Sequence, residues 1–185
     1  MSERVFIQCG CYCQPSGWLR RRVDEHNVVG HIFEANPHQV PLIQQSIVDK
    51  GYKGKIVLHH CAVWIEAGVI DFFTGSGKKE TTVASTMMRN KTSGKIDWNY
   101  PHQVQSIDFG KWIMDNCSGK RASLLMDIEG AEYSVLEKMA TDGSLDLVDD
   151  IRVEFHDTKM DDPEAYKARR EAILGSFKER GIIRW

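Results

Sequence analysis

The chain has 185 residues, of which 42% are hydrophobic and 27% are charged, and its formal net charge is −2. This length and composition predict a single domain over residues 1–185 with a hydrophobic core of its own. So small a net charge argues against nucleic acid or an anionic membrane as a partner. No apolar segment reaches the roughly 20 residues of a membrane-spanning helix. The first residues lack a signal-peptide pattern, so we predict a cytoplasmic protein.

The first two predicted strands begin at Val5 and Val28. The first ends in a turn that contains Gly10, and a helix follows over residues 18–26. The second ends at Glu34, and a carboxylate at the tip of a second strand can accept hydrogen bonds from both hydroxyls of a ribose. Glu34 therefore favours an adenosine-containing ligand, and a solvated loop carboxylate is the alternative.

The cysteines predict neither a disulfide framework nor a zinc site. Cys9, Cys11 and Cys13 recur at every second residue, whereas Cys61 and Cys117 lie far from them in sequence. Structural zinc sites usually pair cysteines at wider spacing and need a second pair, which this sequence does not supply. We interpret these residues as small apolar filler and loop residues.

A third strand is predicted from Lys55 to Val63. Its adjacent histidines, His59 and His60, point to opposite faces of a strand, so we interpret them as structural or solvated. A short strand over residues 69–74 is predicted to form a hairpin with the end of this third strand.

Residues 74–106 are the least regular part of the sequence, and they predict a long irregular insertion. The glycines and lysines in this segment do not have the spacing of a phosphate-binding loop. A long loop in a compact domain is often a functional lid, which would close over the substrate, and a solvated insertion is the alternative. The segment is basic through Lys78, Lys79, Arg89, Lys91 and Lys95.

The most informative stretch follows the apolar residues 123–126, which we interpret as a buried parallel strand. Asp127, Glu129 and Glu132 come directly after it, Gly130 lies at the bend, and a helical pattern follows. Carboxylates at the carboxyl end of such a strand lie over the crevice in which open α/β sheets bind ligands. The alternative is that these acids only stabilise the positive start of the next helix.

The remaining elements complete an alternation of strands and helices. We predict helices over residues 108–116 and 162–181, and strands over residues 150–155 and 182–185, with His156 following the first of these strands. Such alternation predicts a mostly parallel sheet that is covered by helices on both faces.

Residues 126–132 (MDIEGAE) resemble the signature of the FkbM family of S-adenosylmethionine-dependent methyltransferases. Residues 32–37 (IFEANP), 108–113 (DFGKWI) and 153–156 (VEFH) are similar to three further segments of that family, in the same order. The resemblance covers about residues 5–156. It implies a Rossmann-like class I methyltransferase fold whose C-terminal strand or strands are truncated here. An edge strand left open in this way can be covered by a second copy in a homo-oligomer.

The resemblance further implies an S-adenosylmethionine-dependent O-methyltransferase acting on a hydroxyl of a sugar or small natural product. Two positions depart from the Asp-x-Gly-x-x-x-Gly motif of the family, because Gln8 replaces the acid and Gln14 replaces the second glycine. An amide lacks the charge that would strengthen a bond, so we predict weak cofactor binding that improves in Gln8→Asp. The residues expected to bind the cofactor are Gln8, Gly10, Glu34, Ala62 and Asp127.

For catalysis we expect His156 to be the general base, since an ordinary histidine titrates near about pH 6.5. Asp127 would orient or stabilise it, and Glu154 would lie beside both. We expect no metal, and a divalent cation on Asp127, Glu129 and His156 is the alternative. A non-catalytic binding or scaffold protein on a degenerate methyltransferase fold is the alternative function. A nicotinamide-dependent reductase ranks last, because its glycine-rich fingerprint is missing.

Overall fold

The computed structural model describes residues 3–75 and 84–184. Lys78, Lys79 and most of the glycine-rich run that does not fit a phosphate loop lie outside these ranges. In chain order, the strands and helices are β1 (Arg4–Cys9), α1 (Gly17–His26), β2 (Gly30–Glu34), α2 (Val40–Asp49), β3 (Ile56–His60), β4 (Ala62–Trp64), β5 (Gly68–Phe72), β6 (His102–Asp108), α3 (Phe109–Cys117), β7 (Arg121–Met126), α4 (Glu132–Asp142), β8 (Val148–Val153), α5 (Pro163–Glu179) and β9 (Ile183–Arg184).

Six of these strands form one parallel sheet in the order β3-β2-β1-β7-β8-β9. The chain runs outward from β1 to β3 and then crosses back to β7 on the other side of β1. Neighbouring strands β1 and β7 therefore lead into connections that diverge, and open α/β sheets bind ligands at such a switch point. The predicted Rossmann-like fold with a mostly parallel sheet is confirmed.

Helices cover both faces of this sheet. Successive side chains of β1 point to opposite faces, so each face of β1 packs against its own layer of helices. Phe6 packs in one hydrophobic cluster with Leu19 of α1. Its neighbour Ile7 packs in another cluster with Phe109 of α3 and Leu136 of α4. The alternation within β1 thus separates the core into the two layers that the sequence predicts.

Strands β4, β5 and β6 form a second, three-stranded sheet with β6 in the middle. The prediction of one strand over residues 55–63 is wrong, because the chain bends at Cys61 and its end joins the second sheet as β4. The predicted hairpin is also wrong, since β5 pairs with β6 in antiparallel fashion. Finally, β6 lies partly within residues 74–106, so the irregular segment ends at residue 101 rather than 106.

Residues 84–101 are tied to the rest of the chain by short backbone pairings. Thr86 pairs with Phe73, and Lys91 pairs with Met160 in the loop after β8. These contacts hold the segment next to the carboxyl end of the main sheet.

Strand β9 pairs in parallel with β8 at one edge of the main sheet, which confirms the beginning of the predicted sixth strand. Trp185 lies outside the described residues. A homo-oligomer through this edge stays a prediction. Within the ranges that the structure describes, no helix combines the length and apolarity needed to cross a membrane, and the cytoplasmic location stays a prediction.

Candidate functional site

A cavity of about 360 Å³ opens at the carboxyl ends of β1, β2 and β7. Its volume is within the range of small-molecule and cofactor sites. The structure places all five residues expected to bind the cofactor in the wall of this cavity, together with Glu154: these are Gln8, Gly10, Glu34, Ala62 and Asp127.

Gly10 lets the turn after β1 approach the tip of β7. Its φ is +81°, and a Cβ built on it would lie 1.8 Å from the carbonyl oxygen of Asp127. The Gly10 N–H donates to the carbonyl of Phe33 at the tip of β2. A glycine is therefore required here by contact between chain segments, in addition to any approach of a ligand.

The buried side chain of Gln8 holds this turn together. Its Nε2 donates to the Gly10 carbonyl at 3.0 Å, and its Oε1 accepts from the Ser16 N–H at 3.0 Å. An aspartate is one methylene shorter and cannot donate to a carbonyl. The geometry therefore argues against the expectation that Gln8→Asp improves cofactor binding.

The Glu34 carboxylate is buried at the tip of β2 and is held by backbone groups. It accepts hydrogen bonds from the N–H of Cys11 at 2.8 Å and of Asn36 at 2.7 Å. Burial raises the pKa of Glu34 from 4.5 to about 7, and these N–H groups offset part of that effect. A carboxylate has about four lone-pair sites, so Glu34 can still accept hydrogen bonds from a ligand in the cavity.

His156 is fully buried, and its two ring nitrogens have different surroundings. Nδ1 lies 2.9 Å from Glu132 Oε1, whereas Nε2 faces carboxylate oxygens of Glu129, Asp127 and Glu154 at 3.4, 3.6 and 3.7 Å. Burial lowers the pKa of His156, but the bond to Glu132 and the surrounding negative charge outweigh it, so this pKa is raised.

Asp127 and Glu154 form the acidic part of the cavity wall. Burial, followed by the negative charge of Glu154, raises the pKa of Asp127 to about 6. Glu154 is more open, with 62% of its side chain exposed. Unlike these two carboxylates, His156 is not among the described residues that line the cavity. The structure therefore brings the three expected catalytic residues together but places the expected base behind the wall.

Two residues next to His156, Glu129 and Asp127 make contacts that the sequence does not predict. Glu132, the first residue of α4, binds the N–H of Gly130 through Oε2 and His156 through Oε1, so it joins two strand tips. Lys91 has a fully buried side chain whose Nζ donates to Glu129 at 2.5 Å. Burial lowers the pKa of Lys91, and Glu129 opposes that effect. The sequence places Glu132 among the acids over the crevice or at the helix start, but it gives no sign of the bond to His156, and no local pattern indicates Lys91.

The backbone at Glu129 has an unusual conformation. Its φ is +55°, and that of Gly130 is +110°. A left-handed glutamate is uncommon and persists where surrounding contacts hold it. Here the buried Thr86 hydroxyl donates to the Glu129 carbonyl at 2.8 Å. The irregular segment thus helps to aim the Glu129 carboxylate at His156.

The strand order and the cavity at the switch point define a Rossmann-like α/β fold with a ligand crevice. No family model matches the sequence, and a search of curated proteins finds no match. Among solved structures, the chain is similar to the methyltransferase FkbM from Methylobacillus flagellatus KT, with 12% identity and a TM-score of 0.49. The match covers 94% of this chain and 37% of that chain, so this chain spans little more than a third of that protein's length. That protein carries the name of the family that the sequence motifs resemble.

Proposed function

We propose that this chain binds S-adenosylmethionine in the cavity and transfers its methyl group to a hydroxyl oxygen of a sugar or small natural product. One observation carries the proposal: the backbone-held carboxylate of Glu34 faces a cofactor-sized cavity at the switch point between β1 and β7. An acid at the tip of the second strand is the group that binds ribose hydroxyls in this class of site.

The cavity wall beside Glu34 fits the rest of an adenosine. Ala62 and Phe72 belong to a buried apolar cluster of the second sheet, against which Met87 packs. All three side chains line the cavity and offer an apolar surface to a purine ring. Met87 comes from residues 84–101, so this segment forms part of the cavity wall.

Bound S-adenosylmethionine supplies a methyl group that its sulfonium already activates. The protein then has to hold the acceptor hydroxyl in line with that methyl and accept its proton. We assign the proton to Asp127 rather than to His156, because Asp127 lines the cavity and His156 lies behind it. His156 lies behind Asp127, with Nε2 3.6 Å from Oδ1, and Glu154 adds negative charge on the open side.

A non-catalytic binding protein remains the second candidate. The observation that favours it is Gln8, whose two polar ends are both used inside the turn. Such a protein would bind the cofactor or its product without transferring a methyl group.

Calorimetric titration with S-adenosylmethionine, S-adenosylhomocysteine and NAD tests the proposal. We expect the first two to bind and NAD not to bind. Glu34→Ala should weaken binding by about 1–3 kcal/mol, since ligand hydroxyls lose their acceptor. Glu164→Ala is the matched control, because this side chain is 85% exposed at the start of α5. Unchanged affinity in folded Glu34→Ala would remove Glu34 from the site.

Transfer itself is measured as S-adenosylhomocysteine formed with a panel of sugars and hydroxylated small molecules. Asp127→Asn should lower turnover by about 100-fold or more while the cofactor still binds. Cofactor binding without turnover on any acceptor would favour the non-catalytic protein.

A further inference from the structure

The carboxylates around His156 are spaced like atoms that share an ion. Oxygens of Glu129, Asp127 and Glu154 lie 3.4, 3.6 and 3.7 Å from Nε2, which is longer than an ordinary hydrogen bond. Two ligand atoms that each lie about 2.1 Å from one metal ion are roughly 3.0–3.4 Å apart at tetrahedral or octahedral angles. The distance from Nε2 to the Glu129 oxygen lies at the upper end of that range, and the distance to the Asp127 oxygen lies slightly beyond it.

Two polar atoms that point into this cluster have no hydrogen-bond partner. The His156 side chain has no exposed surface, yet Nε2 makes no hydrogen bond to any residue in the ranges 3–75 and 84–184. The same holds for the buried Oδ1 of Asp127. Buried polar atoms without partners are uncommon and cost free energy, so each calls for an explanation. A cation between these two atoms would satisfy both.

We propose that Asp127, Glu129 and His156 bind one divalent transition-metal cation, for which Mn²⁺ is the best match. One ligand atom from each residue lies within 4.8 Å of the other two. Carboxylate oxygens suit Mn²⁺, and an imidazole nitrogen in the set disfavours Mg²⁺ and Ca²⁺, which take oxygen ligands.

Glu132 and Thr86 hold the ligands in place. Glu132 Oε1 binds Nδ1 of His156, and this contact turns Nε2 towards the site, as in the carboxylate–histidine–metal arrangement. The Thr86 hydroxyl fixes the left-handed backbone of Glu129. Because these contacts fix the His156 ring and the Glu129 backbone, the site is preorganised for an ion.

The charges around the site act in both directions. The ammonium groups of Lys91 and Lys159 both pair with Glu129 and would repel a cation. The carboxylates of Asp127 and Glu154 face the imidazole on the other side. A divalent cation would neutralise the repulsion between these two carboxylates.

The ion would lie where the acidic wall meets the cavity, because Asp127 and Glu129 line the cavity and His156 lies behind them. A metal there can bind an acceptor hydroxyl and make its proton easier to remove. This role rests on the proposed methyl transfer. An acceptor with two adjacent hydroxyls, as on a sugar ring, would fit such an ion because the pair can chelate it.

Mn²⁺ titration of the full chain, followed by the electron paramagnetic resonance signal of free Mn²⁺, tests the site. We expect the wild-type chain and the exposed control Glu164→Gln to bind one ion equally. Asp127→Asn and His156→Gln should each weaken binding by at least about 10-fold. Thermal unfolding with and without Mn²⁺ checks that each variant is folded. If one of the two variants does not fold, Glu129→Gln is measured in its place.

No binding by the wild-type chain, or wild-type affinity in the folded variants, overturns the proposal. Titration of S-adenosylmethionine in the presence of a chelator separates it from the proposed function. Cofactor binding without Mn²⁺ binding would overturn the ion site and would not contradict methyl transfer. Mn²⁺ binding without cofactor binding would support the ion site and overturn methyl transfer.

Discussion

Adding a methyl group at Gly10 should strongly destabilise the fold. Alanine would have to adopt φ +81° and overlap the Asp127 carbonyl at 1.8 Å, so we expect Gly10→Ala to cost about 3 kcal/mol or more, or to prevent folding. Gly51→Ala is the matched control, because its φ is +76° with nothing within 4 Å of the added carbon. It should cost only about 1–2 kcal/mol. Urea denaturation measures both, and equal losses would show that the overlap is relieved by movement of the chain.

At Gln8 the structure reverses the expectation from the family motif. Gln8→Asp loses both bonds across the turn and should weaken cofactor binding and lower the free energy of unfolding by about 1–3 kcal/mol. Gln8→Glu keeps the length and an acceptor for Ser16, so it should lose less stability. Calorimetry and denaturation measure the two effects. Tighter binding by Gln8→Asp would mean that the turn rebuilds around the acid.

Burial of Glu34 makes stability depend on pH. Its pKa is about 7 in the folded chain against an ordinary 4.5, so between these pH values the folded state keeps a proton that the unfolded state has lost. The free energy of unfolding should therefore fall as pH rises through this window, by of the order of 3 kcal/mol.

Glu34→Gln has no carboxyl group to ionise and should flatten this part of the stability curve. Denaturation at about pH 5 and about pH 8 measures the difference between the two proteins. Asp127 and the thiol of Cys11 also interact with Glu34 but are present in both proteins, so the difference reports on Glu34. Parallel curves would show that the Glu34 carboxylate is better solvated than its burial indicates.

Among the elements, the segment 84–101 holds the acidic loop through Thr86. Thr86→Val removes a hydroxyl that donates to the Glu129 carbonyl and accepts from the Met88 N–H, so we expect a loss of about 1–3 kcal/mol. Hydrogen exchange should also quicken at Gly130. Thr92→Val is the control, because its hydroxyl bond to the Lys159 carbonyl is exposed. Similar losses in both variants would contradict a special role for Thr86.

Elements whose ends are marked by local chemistry could be predicted from the sequence. Asp108 caps α3 and Asp162 caps α5, each by accepting a backbone N–H at the helix start, and both helices begin within a residue of their predicted positions. Strand β6 was missed because its alternating burial is short and follows an irregular segment. Its pairing with β4 and β5 depends on partners far away in sequence, which no local pattern specifies.

At the scale of the whole molecule, the parallel sheet and the position of its ligand crevice followed from the strand tips at Glu34 and Asp127. The buried contacts inside the site could not be predicted from the sequence. The bond between Lys91 and Glu129 joins residues 38 positions apart, and a lysine in an irregular segment carries no sign that it is buried. The strand ends predict that His156 and Asp127 lie near each other, but only the packing of Glu132 shows that the His156 ring lies behind the cavity wall.

The junction of Gly10 with Asp127 also determines when the cavity can exist during folding. It joins the first strand to a strand from the second half of the chain, and contacts between such distant residues form slowly because chain entropy is lost first. A nascent chain carries one wall of the cavity well before the other has been synthesised. We therefore expect saturating S-adenosylhomocysteine to slow unfolding in stopped-flow experiments and to leave the refolding rate unchanged.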